Sequence, residues 1–172
     1  QSLRRALERE PNNAAANFNL GLLVAEKGDL TEAQTRLRAA LKVDPTMAAA
    51  AYNLAVLVAG EHPDEAIALC RQAVQHSPAE PKYGFTLAYY QLQKGDVPRA
   101  MAALEAVLER TPAHLDSLQM LGQIHERAGR QREAAALYER TLSRATLPAD
   151  VQAALRSRIE MLRTNSAPAE NP

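Results

Sequence analysis

Apolar and polar residues follow one another at helical period along most of the chain, in blocks separated by glycine or proline. Leu20, Leu23 and Val24 fall on one face of a helix, and Leu87, Tyr90 and Gln91 occupy the matching face further on. Each run stops at a break: Lys27-Gly28-Asp29, Gly60-Glu61-His62-Pro63, Lys94-Gly95-Asp96 and Ala128-Gly129-Arg130. Glycine adopts the left-handed conformation that ends a helix, and a following Asp can cap the next one. Asp29 and Glu32 have the spacing of a capping box, and Pro63 and Pro98 suit a first helical turn. Second helices then follow at about 30–43, 64–76, 97–110 and 131–145. Every block therefore predicts a helix–turn–helix hairpin, and no segment reads as a strand.

The blocks keep a beat. Pro11, Pro45, Pro78 and Pro112 are 34, 33 and 34 residues apart. A short phrase recurs between them: Asn-Phe-Asn-Leu-Gly at 17–21, Ala-Tyr-Asn-Leu-Ala at 51–55, Gly-Phe-Thr-Leu-Ala at 84–88 and Leu-Gln-Met-Leu-Gly at 118–122. Self-similarity at such a period means stacked supersecondary units that share a continuous core. The units are 14–47, 48–80, 81–114 and 115–148, the second being one residue short in its turn, between Val58 and Ala66. Leu20, Leu54, Leu87 and Leu121 are the expected knobs of the first helices. Gly21, Ala55, Ala88 and Gly122 follow them with minimal side chains, which lets two helices approach closely. Ala33, Ala66, Ala100 and Ala134, then Leu37, Cys70, Leu104 and Tyr138, are the expected facing residues of the second helices.

In this register the first unit reads Asn17-x2-Leu20-Gly21-x2-Val24, Ala33-x3-Leu37, Pro45, and the next two units read comparably. It resembles the tetratricopeptide repeat, whose pattern is W-x2-L-G-x2-Y, A-x3-F, P at a period of 34. The family's aromatic first position is replaced throughout, by Asn17, Ala51, Gly84 and Leu118, and the fourth unit has Thr146 where the proline should fall. The resemblance covers 14–148. It implies an all-α, right-handed superhelical solenoid whose first helices line a concave groove. It further implies that a peptide or protein segment, either extended or helical, binds there. Carried onto this chain, the groove positions are Ala15, Phe18, Asn19 and Leu22; Ala49, Tyr52, Asn53 and Val56; Lys82, Phe85, Thr86 and Tyr89; and Asp116, Gln119, Met120 and Gln123. Asn offers donor and acceptor to a ligand backbone, and aromatic rings give anchoring area at low entropy cost. Family members that bind chaperone C-termini carry Lys and Asn at the fifth and ninth places of one repeat. Here those places hold Phe18 and Leu22, or Tyr52 and Val56, so an acidic C-terminus is disfavoured as ligand.

The ends fit an array. Residues 1–13, with Leu3, Ala6, Leu7 and Pro11, match the second helix of a preceding, truncated unit. An exposed N-terminal edge there, made of Leu3, Leu7 and the Phe18 side, would favour self-association. Val151, Leu155, Ile159 and Leu162 form one apolar stripe within 149–163, the expectation being a covering helix. Residues 164–172 lack an apolar anchor and read as a disordered tail.

Composition narrows the chemistry. Twenty basic and twenty acidic residues cancel in a chain of 172, so no nucleic acid is expected as partner. No apolar run approaches the roughly 20 residues that cross a bilayer. The single Cys70 falls at an apolar helix position and reads as a small buried hydrophobe. His62, His76, His114 and His125 lie too far apart in register to make a metal site, and no haem, phosphate-loop or nucleophile motif is present. Neither cofactor nor metal is expected, and the chain reads as a non-catalytic binding module. The alternative is an arm of a larger bacterial enzyme or periplasmic multihaem cytochrome, because 81–96 resembles repeats fused to such cytochromes. The compartment stays open between bacterial cytoplasm and periplasm.

Overall fold

The computed structural model describes Leu7 and residues 10–166, apart from the side chains of 165 and 166. The described helices are α1 (Ala14–Glu26), α2 (Leu30–Val43), α3 (Ala48–Val58), α4 (Pro63–His76), α5 (Pro81–Gln93), α6 (Val97–Arg110), α7 (Leu115–Arg127), α8 (Gln131–Arg144) and α9 (Ala149–Ser166). The described residues contain no strand, so the all-α class read from the periodicity holds.

Local chemistry explains the boundaries. Asn13 caps α1 by accepting from the Ala16 amide at 2.8 Å, and Asp29 caps α2 by accepting from the Glu32 amide at 3.0 Å. Gly28, Gly95 and Gly129 end first helices with φ of 85°, 77° and 70°, in the left-handed region. Gly60, expected to do the same, does not have positive φ. In that shorter unit α3 ends two residues earlier, and the turn closes through the His62 amide donating to the Val58 carbonyl at 2.7 Å.

The fold divides into two compact units, Gln1–Asp96 and Val97–Pro172, and the division falls between α5 and α6. In the first unit, each of α1 to α4 packs on the helix that follows it; in the second, each of α6 to α8 does the same. The core is built from the recurring positions. Leu20, Leu54, Leu87 and Leu121 are buried, and Ala33, Ala66, Ala100 and Ala134 have no exposed surface. Within a hairpin the seam is matched by size. A Cβ on Gly21 would stand 3.1 Å from Leu37 Cγ, and one on Gly122 would collide with the Tyr138 hydroxyl and the ring edge that carries it.

Ion pairs tie second helices to their neighbours: Arg38 of α2 to Glu65 of α4, and Arg144 of α8 to Glu109 of α6, the latter with two 3.0 Å bonds. The Gln72 side chain of α4 donates to the Pro45 carbonyl at 2.6 Å, holding the turn between hairpins.

Both ends differ from the expectation. Residues 164–166 are helical rather than tail. The last turn of α9 is held by the Thr164 hydroxyl, which donates to the Glu160 carbonyl at 2.6 Å, and by Arg163, which pairs with Glu139 at 2.6 Å. The remaining tail positions, 167–172, lie outside the described residues. So do Leu3 and most of the segment 1–13. Leu7 is helical and buried against Ala16, Leu20, Val24 and Ala33, so it contributes nothing to an exposed N-terminal edge.

Candidate functional site

In the first unit, the groove positions named above lie on α1, α3 and α5. Their burial is graded. Phe18, Leu22, Tyr52, Asn53, Phe85 and Thr86 are half-buried, whereas Asn19, Val56, Lys82 and Tyr89 are exposed. Val56 keeps 47% of its surface and Tyr89 44%, large fractions for apolar and aromatic side chains in a packed helical protein.

Adjacent first helices meet through aromatic rings. Tyr52 of α3 lies 4.9 Å, centroid to centroid, from Tyr83 of α5, with the ring planes tilted by 38°. The Lys82 ammonium stands over both rings, 5.5 Å from Tyr52 and 5.3 Å from Tyr83. Two turns further along α5, Tyr89 and Tyr90 are 5.6 Å apart, and the Gln93 amide donates to the Tyr89 hydroxyl at 2.8 Å. Burial pushes the Tyr83 and Tyr90 hydroxyls up from their ordinary value, the Lys82 charge acting against this at Tyr83. Tyr83, buried in the floor of this arrangement, was not among the expected site residues. Its position three residues into a helix gave no sign that its ring would meet Tyr52.

The two expected asparagines differ. Asn53 turns its amide back to the Ala49 carbonyl of its own helix at 2.7 Å, which occupies one donor. Asn19 is exposed. A third asparagine, Asn17, holds the buried place of the family's aromatic residue. Its amide donates to the Pro11 carbonyl at 2.9 Å and the Asn13 carbonyl at 3.0 Å, clipping the preceding turn onto α1.

In the second unit, Gln119 and Gln123 of α7 are exposed and Met120 is half-buried. Gln119 borders a pocket of about 320 Å³ between α7, α8 and α9, lined by Leu115, Leu118, Tyr138, Val151, Ala154, Leu155 and Arg158. Ile159 and Leu162 of the α9 stripe are buried as a covering helix requires, but Val151 and Leu155 are only half-buried and leave this space open. An apolar stripe shows which face of a helix turns inward; it does not show how near the first half of that face comes to its neighbour. Behind the pocket the Tyr138 hydroxyl donates to Glu126 at 2.9 Å, and Arg158 binds the same carboxylate. Arg158 and Tyr138 together hold Glu126 below the usual carboxylate range in spite of burial.

Sequence models of the tetratricopeptide repeat match residues 1–33, 25–81 and 85–154, and a second model of that repeat matches 57–111. The chain belongs to the tetratricopeptide repeat family. No curated protein sequence matches this repeat protein. Solved structures do. YrrB, described as a tetratricopeptide protein with an unusual peptide-binding site, is 16% identical, with a TM-score of 0.74 over 99% of this chain and 86% of its own. MamA is 22% identical, with a TM-score of 0.71 over 82% and 83%. PilF of Pseudomonas aeruginosa is 21% identical, with a TM-score of 0.62 over 88% and 68%. At these identities the likeness concerns the fold.

Nothing in the repeat protein's described residues gathers three His, Cys, Asp or Glu side chains as a metal ion would need, and no described helix is long and apolar enough to cross a membrane. Cys70 is wholly buried and its thiol is pushed up to about 12 by desolvation, far from the thiolate that nucleophilic chemistry requires.

Proposed function

We propose that this tetratricopeptide repeat chain is a non-catalytic interaction module that holds a peptide or protein segment against its first helices. The observation that carries the reading is the apolar and aromatic surface left exposed at Val56 and Tyr89, beside the half-buried rings of Tyr52 and Phe85, on packed helices. Rigid aromatic anchors are the residues on which interfaces concentrate their energy. Membership of a family of interaction modules and the peptide-binding site of the structural relative YrrB support it. Phe18, Asn19, Leu22, Asn53, Lys82 and Thr86 complete the assignment in the first unit, and Gln119, Met120 and Gln123 have the corresponding role in the second.

Peptides selected from a displayed random library on the immobilised chain provide the test. Tyr52→Ala and Tyr89→Ala should each weaken the selected peptides by about 5- to 30-fold, which corresponds to about 1–2 kcal/mol per anchor. Unchanged affinity in both variants, with helical circular dichroism retained, would overturn the assignment.

A further inference from the structure

Lys82 is the one charged residue among the expected first-unit positions on α1, α3 and α5. It is exposed, and its ammonium stands over two tyrosine rings, with no ion pair to a carboxylate among the described residues. Three other cations of the same unit pair with acids: Arg36 with Glu32, Arg38 with Glu65, and Lys94 with Asp64 at 3.0 Å. The helix position itself does not favour the charge, because a cation in the first turn of a helix opposes the macrodipole. The ring faces restrict the long lysine stem and exclude water from one side of the charge. Both effects raise what a partner's charge gains there, since less side-chain freedom remains to be lost and the local dielectric is lower.

We infer that the first unit takes a partner segment bearing a side-chain carboxylate beside a large apolar residue. The carboxylate meets Lys82 Nζ, and the apolar side chain lies on Val56 and Tyr89. This rests on the reading of that face as a binding surface and narrows its partner. Tyr89 lies seven residues beyond Lys82, two turns along the same helix face and about 10 Å away at 1.5 Å per residue. An extended segment covers that distance in about three residues. The expected motif is thus an Asp or Glu about three positions from Leu, Phe or Met, and a Lys or Arg in place of the acid is rejected by like charge.

The same displayed library tests it, with selected sequences then made as free peptides and titrated against the full chain by fluorescence anisotropy. Selected sequences should be enriched in that spacing. Lys82→Met, which keeps the stem over the rings and removes the charge, should weaken them about tenfold and flatten their salt dependence, whereas Lys82→Arg should stay within about threefold. Asp→Asn in the peptide should cost wild type as much as Lys82→Met does, and cost Lys82→Met nothing further. Selected peptides that lose affinity in Tyr89→Ala but show no acidic preference and ignore Lys82→Met would overturn the inference and leave the binding face standing. Peptides indifferent to Tyr52→Ala, Tyr89→Ala and Lys82→Met alike, or a library that yields no binder, would overturn both.

Discussion

Tyr138 occupies the space that a side chain on Gly122 would need: a Cβ built there comes within 2.6 Å of Tyr138 Cζ, and closer still to the hydroxyl. The ring cannot retreat, because its hydroxyl is bonded to Glu126, which is held in turn by Arg158 of α9. Gly122→Ala is therefore expected to cost about 1–3 kcal/mol by overpacking. Urea denaturation measures it. Gly60→Ala is the control, since that Cβ meets nothing within 4 Å and the backbone there lacks positive φ. In Gly122→Ala/Tyr138→Leu the two losses should fail to add, because the smaller partner admits the methyl; additive losses would contradict the seam.

Asn17→Ala should destabilise the first hairpin by about 1–3 kcal/mol, as it removes two hydrogen bonds and takes the side-chain donor from the Pro11 carbonyl, while the Asn13 carbonyl keeps the backbone amide of residue 17. Asn19→Ala, two residues away and exposed, should change stability by less than about 0.5 kcal/mol. Equal effects in thermal melts would refute the clip.

The pattern of these residues shows what was legible from the chain alone. Leu54, Ala66 and their equivalents are fixed by helical period, and the same period that places them makes them core; their burial was readable. Asn17 was not, because its value depends on two loop carbonyls that no periodicity locates. Tyr83 and Lys82 likewise acquire their roles only when α5 is laid beside Tyr52 of α3. The pocket beside Leu155 depends on a helix spacing that a stripe of apolar residues does not encode.

Acid should weaken the second unit in two stages. His125 is buried and its folded value is lowered from 6.5, first by desolvation and then by Arg130, against the opposing pull of Glu133 and Glu105. The native state thus prefers the neutral ring. Its stabilisation is complete above about pH 6.5 and falls as the unfolded chain begins to take up the proton. Glu126 likewise prefers its deprotonated form in the fold, here the charged one: its folded value lies below 4.5, so its contribution is present above that pH and lost as pH falls through the folded value. Melting temperatures recorded from about pH 8 to 3 should decline over both ranges. His125→Gln should flatten the first decline and Glu126→Gln the second.

Cys70 should resist thiol reagents at about pH 8 in the native protein and react at once in denaturant, given its full burial and a thiol value of about 12. Rapid native labelling would show that α3 and α4 open far more readily than their packing implies.

The size matching along the hairpin seams also limits how this chain can be recombined. Gly21 against Leu37 and Gly122 against Tyr138 are private agreements between two helices of one hairpin. A shuffled gene that moves whole hairpins carries each agreement with it. One that exchanges only first helices would set the methyl of Ala55 against Tyr138, or leave Gly122 facing Cys70 across a void. The repeats are alike in outline, yet at these seams a first helix is the property of its own second helix.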